Sequence, residues 1–194
     1  MKLSTLNSEG GRRVSSMFKH KSVTLRIIEE SDLEPMRNLR NDPSTWVNLT
    51  DIEPIDSESQ RSWFESLVGR RDRIYLVACD DEHSFLGITR MDEIDRVNRS
   101  MRIGCDIVPE KRGQGYGSKV FAAALKYSFD YMNMHRVWLA VLDYNQVGIN
   151  LYKKNGFQKE GCYRDAIFRD GRYHDYTIMS LLEEEYRNGQ QSAE

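Results

Sequence analysis

Between Asp106 and Ser118 an alternating apolar run stops at a proline, crosses three glycines and enters a long amphipathic stretch. Ile103, Cys105 and Ile107 alternate as one face of a strand, and Pro109 ends it because proline gives a ladder no N–H. In the loop Arg112-Gly113-Gln114-Gly115-Tyr116-Gly117-Ser118 the glycines occupy every second position. Without Cβ atoms such a loop lets an anion approach the main chain, and the helix that follows adds unpaired N–H groups and a positive dipole end. The ligand this turn suits is a phosphate or pyrophosphate. Spacing excludes two familiar versions of it. Gly117-Ser118-Lys119 is not the Gly-Lys-Ser/Thr order of a Walker loop, and Gly-x-Gly-x-Gly is not the Gly-x-Gly-x-x-Gly of a dinucleotide fold.

A second segment narrows the reading. Asn145-Gln146-Val147-Gly148-Ile149-Asn150-Leu151-Tyr152 opens a helix on an asparagine, with a small residue three places on and Leu-Tyr three further, before Gly156-Phe157 and Glu160-Gly161. The first loop fits Gln/Arg-x-x-Gly-x-Gly/Ala, with Arg112, Gly115 and Gly117 in place. Together, in this order, the two segments resemble the cofactor segments of the GCN5-related N-acetyltransferases (GNAT), over about residues 22 to 186. Leu39-Arg40-Asn41-Asp42-Pro43, Trp63-Phe64 and Gly171-Arg172-Tyr173-His174-Asp175 are similar to a branch that acetylates ribosomal-protein N-termini, spermidine and nucleotide-linked aminosugars. The resemblance implies acetyl-CoA as co-substrate and a primary amine as acceptor. The three acceptor classes stay unranked, save that residues 29 to 65 hold ten acids against three bases, which favours a cationic amine unless those acids are only solvated helix faces.

The chain order predicts an α/β (α+β) fold: one domain with a mixed, mostly antiparallel sheet of six or seven strands, about four helices and, by the resemblance, a splayed central parallel pair. Strands are expected at 23–28, 74–79, 85–93, 100–108, 136–142, 157–167 and 173–182. A Ser31-to-Glu34 capping box starts a short helix. Further helices are expected at 57–68, after the glycine loop to about Asn133, and at 145–155. Residues 1–21, rich in Ser, Gly and basic groups, read as a flexible arm, and 187–194 as a polar tail. With 194 residues and 39% hydrophobic content the chain fills one core, and a net charge of −2 gives no reason to expect nucleic-acid binding. No apolar run is long enough for a membrane span, the N-terminus lacks a secretory core, and the three scattered cysteines read as reduced thiols, so a cytoplasmic protein without a metal is expected. The closing strands and tail are the candidate homodimer surface.

Acetyl transfer from a thioester to an amine needs a neutral nucleophile, stabilisation of an oxyanion and a proton for the thiolate. By the resemblance, the main chain of Asp106, Ile107 and Val108 holds the pantetheine arm and the carbonyl, while the N–H groups from Arg112, Gly113, Gln114, Gly115, Tyr116, Gly117 and Ser118 hold the pyrophosphate. Arg112 and Lys111 either add charge there or are solvated. Asn145 caps its helix and bonds the pantetheine. Tyr152 takes the place of the phenol that protonates the thiolate. The glutamate common in relatives, two residues before the strand's glycine, is replaced by Arg102. Asp92, Glu93 and Asp106 are left as candidate bases, beside a water chain, and a non-catalytic CoA-binding module stays open as the alternative.

Overall fold

The computed structural model describes residues 16–191. Ser16–His20 (β1) and Val23–Ile27 (β2) form a hairpin, followed by a 3-10 turn at Glu30–Asp32 and the helices Leu33–Asn41 (α1), Pro43–Trp46 (α2) and Ser57–Glu65 (α3). Ile74–Cys79 (β3), Phe85–Asp95 (β4) and Ser100–Ile107 (β5) lead through a 3-10 turn to Tyr116–Lys126 (α4). Arg136–Leu142 (β6), Gln146–Lys154 (α5), Gln158–Arg169 (β7), Arg172–Leu182 (β8) and Glu183–Gln191 (α6) complete the chain. All eight strands form one sheet in the order β1-β2-β3-β4-β5-β6-β8-β7, antiparallel except for β5 beside β6.

Both faces of the sheet are covered, and strand alternation decides which side chain goes where. On β3, Leu76 and Ala78 join the larger core with Val120, Phe121 and Leu125 of α4, while Val77 and Cys79 turn to the smaller core with Met36 and Leu39 of α1. This is why β3 reads as an unbroken apolar run.

Several expectations need correction. The arm 1–21 lies outside the described residues up to residue 15, but its end is β1, fixed by Phe18 packing against Tyr127 and Tyr131 at 5.7 and 5.2 Å between ring centroids. The tail expected at 187–194 is helical to Gln191, because Tyr186 of α6 stacks on Phe129 at 4.6 Å. Ser31 and Glu34 form no capping box. Glu29 and Asp32 do, with Asp32 also held by the Arg26 guanidinium at 2.6 and 2.7 Å. Helix α4 ends at Lys126 and continues as a π turn, Tyr127–Tyr131, where the Ser128 hydroxyl donates back to the Ala124 carbonyl at 2.7 Å.

Candidate active site

Strands β5 and β6 pair only through Ser100/Arg136, Met101/Val137 and Arg102/Trp138. Beyond that they part, and a cavity of about 500 Å³ opens between Ile103–Asp106 on one side and Ala140 and Val141 on the other. The pairing with β4 tells which backbone groups face it. The Val108 N–H donates to the Leu86 carbonyl at 3.0 Å, and β5 runs against β4 without a bulge from Arg102 to Ile107. Because antiparallel pairs alternate, Asp106 and Gly104 share the side of Val108, whereas Ile103, Cys105 and Ile107 turn their N–H and C=O groups to the gap. Two of the three expected main-chain groups are thereby turned from the gap: those of Asp106 and Val108 face β4, while the unanticipated Cys105 lines the cavity and the Ile107 carbonyl accepts from Arg112 Nε at 2.8 Å.

Gly87 of β4 makes this approach possible. Its φ is +150°, and a Cβ there would lie 1.9 Å from the Asp106 carbonyl oxygen. Behind the strand end, Gly113 and Gly115 have φ of 73° and 81°, a left-handed conformation that other side chains resist. Gly115 is the N-cap of α4 and offers no side-chain bond to the helix, so the first N–H groups of α4 remain for an anion. Gly117 is helical, and a Cβ there would meet only Ile107 Cγ1 at 3.8 Å. Gln114 turns its amide to the Glu110 carbonyl at 2.7 Å, and Tyr116 lies under the ammonium groups of Lys111 and Lys119.

On the β6 side, Asn145 and Tyr152 both line the cavity. The Asn145 Oδ1 accepts from the Gly148 N–H at 2.9 Å and caps α5; a Cβ on Gly148 would lie 3.0 Å from that amide, which accounts for the small residue at this spacing. Tyr152 is wedged against Phe121 at 5.3 Å between ring centroids. Burial drives its phenol well above the ordinary tyrosine value, with Cys105 and Asp106 adding to the shift. The Cys105 thiol is itself pushed up to about 12 by burial, so it stays protonated and inert beside the site.

The candidate bases are all engaged. Asp92 receives a two-pronged bond from Arg102 at 2.6 and 3.0 Å, the residue directly opposite it on β5. Glu93 lies 3.2 Å from the same guanidinium, is half exposed and is not in the cavity wall. Asp106 pairs with Arg90 at 2.8 Å. Arg90 was not expected from the sequence, although a cation within a buried strand facing a glycine is a signal: a Cβ on Gly104 would lie 2.8 Å from Arg90 Nη2. Burial is the largest influence on it and opposes its charge, but Asp106 together with Tyr152, Cys105 and Tyr75 turns the net shift upward. Arg40 is shifted downward, first by burial and then by Arg90. Of the ten acids counted between residues 29 and 65, only Asp51 lines the cavity. Glu30 is spent on Arg61, Asp32 on Arg26, and Asp42 and Asp56 cap α2 and α3.

Comparison with known proteins agrees with this geometry. The family model of the acetyltransferase (GNAT) domain matches residues 22–158. A spermidine N(1)-acetyltransferase of Vibrio cholerae is 31% identical over 171 residues, covering 86% of this chain and 96% of that one. One from Escherichia coli is 28% identical, covering 85% and 88%. A crystal structure of the Vibrio cholerae spermidine N-acetyltransferase in complex with CoA and spermine matches with a TM-score of 0.82 at 28% identity, covering 86% of this chain and 99% of the other.

Proposed function

The chain belongs to the GNAT acetyltransferase family, and on that premise we propose that the amine it acetylates is that of a polyamine such as spermidine. It is an acetyl-CoA-dependent N-acetyltransferase. The non-catalytic alternative gives way to the named activities of its relatives. What carries the acceptor reading is the likeness, over most of both chains, to spermidine acetyltransferases. The cavity adds one supporting feature: Asp51 lies at its wall with its carboxylate 66% exposed and 3.3 Å from Arg40, within reach of an ammonium from solvent.

The residues divide the chemistry among them. Acetyl-CoA supplies the thioester, its pyrophosphate taken by the N–H groups at the start of α4 and its arm lying along the unpaired edge of β5 like an added strand. The Cys105 N–H faces the gap and polarises the acetyl carbonyl. Tyr152, kept neutral by burial, donates a proton to the leaving sulfur. Each carboxylate of the cavity is beside an arginine, so the ammonium proton leaves through water rather than to a dedicated glutamate. Two finer proposals accompany this one. The protein works in the cytoplasm, where acetyl-CoA and three free cysteines are both at home. It forms a homodimer through the β7–β8 pair, which exposes Tyr163, Phe168 and Tyr173, and sedimentation of a monomer at micromolar concentration would sink that idea.

Release of CoA thiol with spermidine, an aminosugar nucleotide and peptides with free N-terminal Ser or Ala tests the acceptor. Spermidine is expected to give the highest kcat/KM. A peptide or aminosugar acceptor turning over faster would replace the polyamine reading while leaving the acetyltransferase intact.

A further inference from the structure

Arg112 carries the first position of the pyrophosphate loop, yet its guanidinium points elsewhere. Nε donates to the Ile107 carbonyl at 2.8 Å, Nη1 to Ser44 Oγ at 2.6 Å and Nη2 to Thr45 Oγ1 at 2.5 Å, with the Ser44 carbonyl 3.3 Å from Nη1. All three nitrogens are thus used on neutral acceptors. One acceptor ends the cofactor strand β5, and the others form α2, a single turn capped by Asp42. The chain leaving α2 becomes the far wall of the cavity, at Asn48, Leu49, Thr50 and Asp51. A helix of four residues cannot hold itself in place. The same wall is fastened twice more: the Tyr144 hydroxyl donates to the Val47 carbonyl at 2.5 Å, and the buried Arg169 donates to the Leu49 and Thr50 carbonyls at 2.5 and 2.9 Å. Tyr144 adjoins Asn145, so two of the three ties start from cofactor-binding segments.

We infer that Arg112 is a positioning residue that fastens the acceptor wall, residues 42–51, to the acetyl-CoA strand, so that its side chain governs recognition of the amine rather than affinity for the cofactor. The inference rests on the polyamine reading for its kinetic arm only. Lysine retains the charge but cannot span the three acceptors, which separates the tie from a phosphate contact.

The test compares Arg112→Lys, Arg112→Ala and the pair Ser44→Ala with Thr45→Val against the parent protein. Loss of these bonds is expected to raise the spermidine KM about tenfold, with kcat and the calorimetric Kd for acetyl-CoA within about threefold. Amide exchange over residues 45–51 is expected to quicken in all three variants, with or without acetyl-CoA. A weakened acetyl-CoA Kd in Arg112→Ala, restored by lysine and unaccompanied by faster exchange, would overturn the inference. Failure of the parent to use spermidine would sink the acceptor reading alone, and unchanged exchange over 45–51 would then overturn this one.

Discussion

At the residue scale the proposed chemistry turns on how burial sets two groups of the cavity, one on each side. Tyr152 and Cys105 both line the cavity, and both are driven upward by desolvation. For a proton donor this is an advantage, since the functional form of the phenol is the neutral one. The sign follows: a raised value extends the protonated range to higher pH, so an alkaline limb in kcat from Tyr152 is expected only above the ordinary tyrosine value of about 10. Tyr152→Phe is expected to lower kcat by roughly ten- to a thousandfold, with acetyl-CoA binding within about threefold. Stopped assays across pH, paired with calorimetry, check both points. An unchanged kcat in the variant would remove Tyr152 from the proton transfer.

At the element scale β5 carries most of the site, and it is also where reading the sequence reached furthest and then stopped. The unbroken apolar run Ile74–Cys79 and the alternation in Arg136–Leu142 fixed those strands to the residue, because each pattern is written locally. The glycine loop and the Asn145 cap were legible for the same reason. Which N–H groups of β5 face the gap was not, since that depends on the register with β4, settled only by a bond from Val108 to Leu86. Nor was the use of Arg112, whose partners lie 67 and 68 residues away in the chain. β1 and α6 escaped notice because one aromatic each, Phe18 and Tyr186, anchors an otherwise polar stretch. The cross-strand pair Asp92/Arg102 explains the missing glutamate in the same terms. Arg102 is the last residue of β5 still paired to β6, and it lies over the Trp138 ring at 5.9 Å, at the point where the strands part. Restoring a glutamate by Arg102→Glu would set two carboxylates directly opposite each other. The expected cost is about 1–2 kcal/mol, read as a lower urea midpoint, with most of it recovered by adding Asp92→Asn. A single variant as stable as the parent would show that the pair is not structural.

At the scale of the whole molecule the sheet is continuous through eight strands except for one wedge, and the wedge is the proposed acetyl-CoA site. The upper halves of β5 and β6 each have a partner on one side, β4 and β8, and lack one on the other. Backbone groups there face a cavity that solvent can enter, so they are satisfied without being tied together. A ligand that adds hydrogen bonds along this edge closes the sheet, and its binding energy becomes stability of the fold. At a hundred times its Kd, acetyl-CoA should add about 2.7 kcal/mol, a rise in Tm of roughly 5–10 °C for a domain of this size. Where the protection falls is the sharper expectation. The N–H groups of Cys105 and Ile107 should slow in amide exchange when acetyl-CoA is added. Those of Asp106 and Val108 should change little, being already bonded to β4. Residue-resolved exchange measures this alternation directly. Slowing of all four alike, or of Asp106 and Val108 instead, would mean that the arm does not run along the β5 edge, and the placing of the acetyl carbonyl at Cys105 would fall with it.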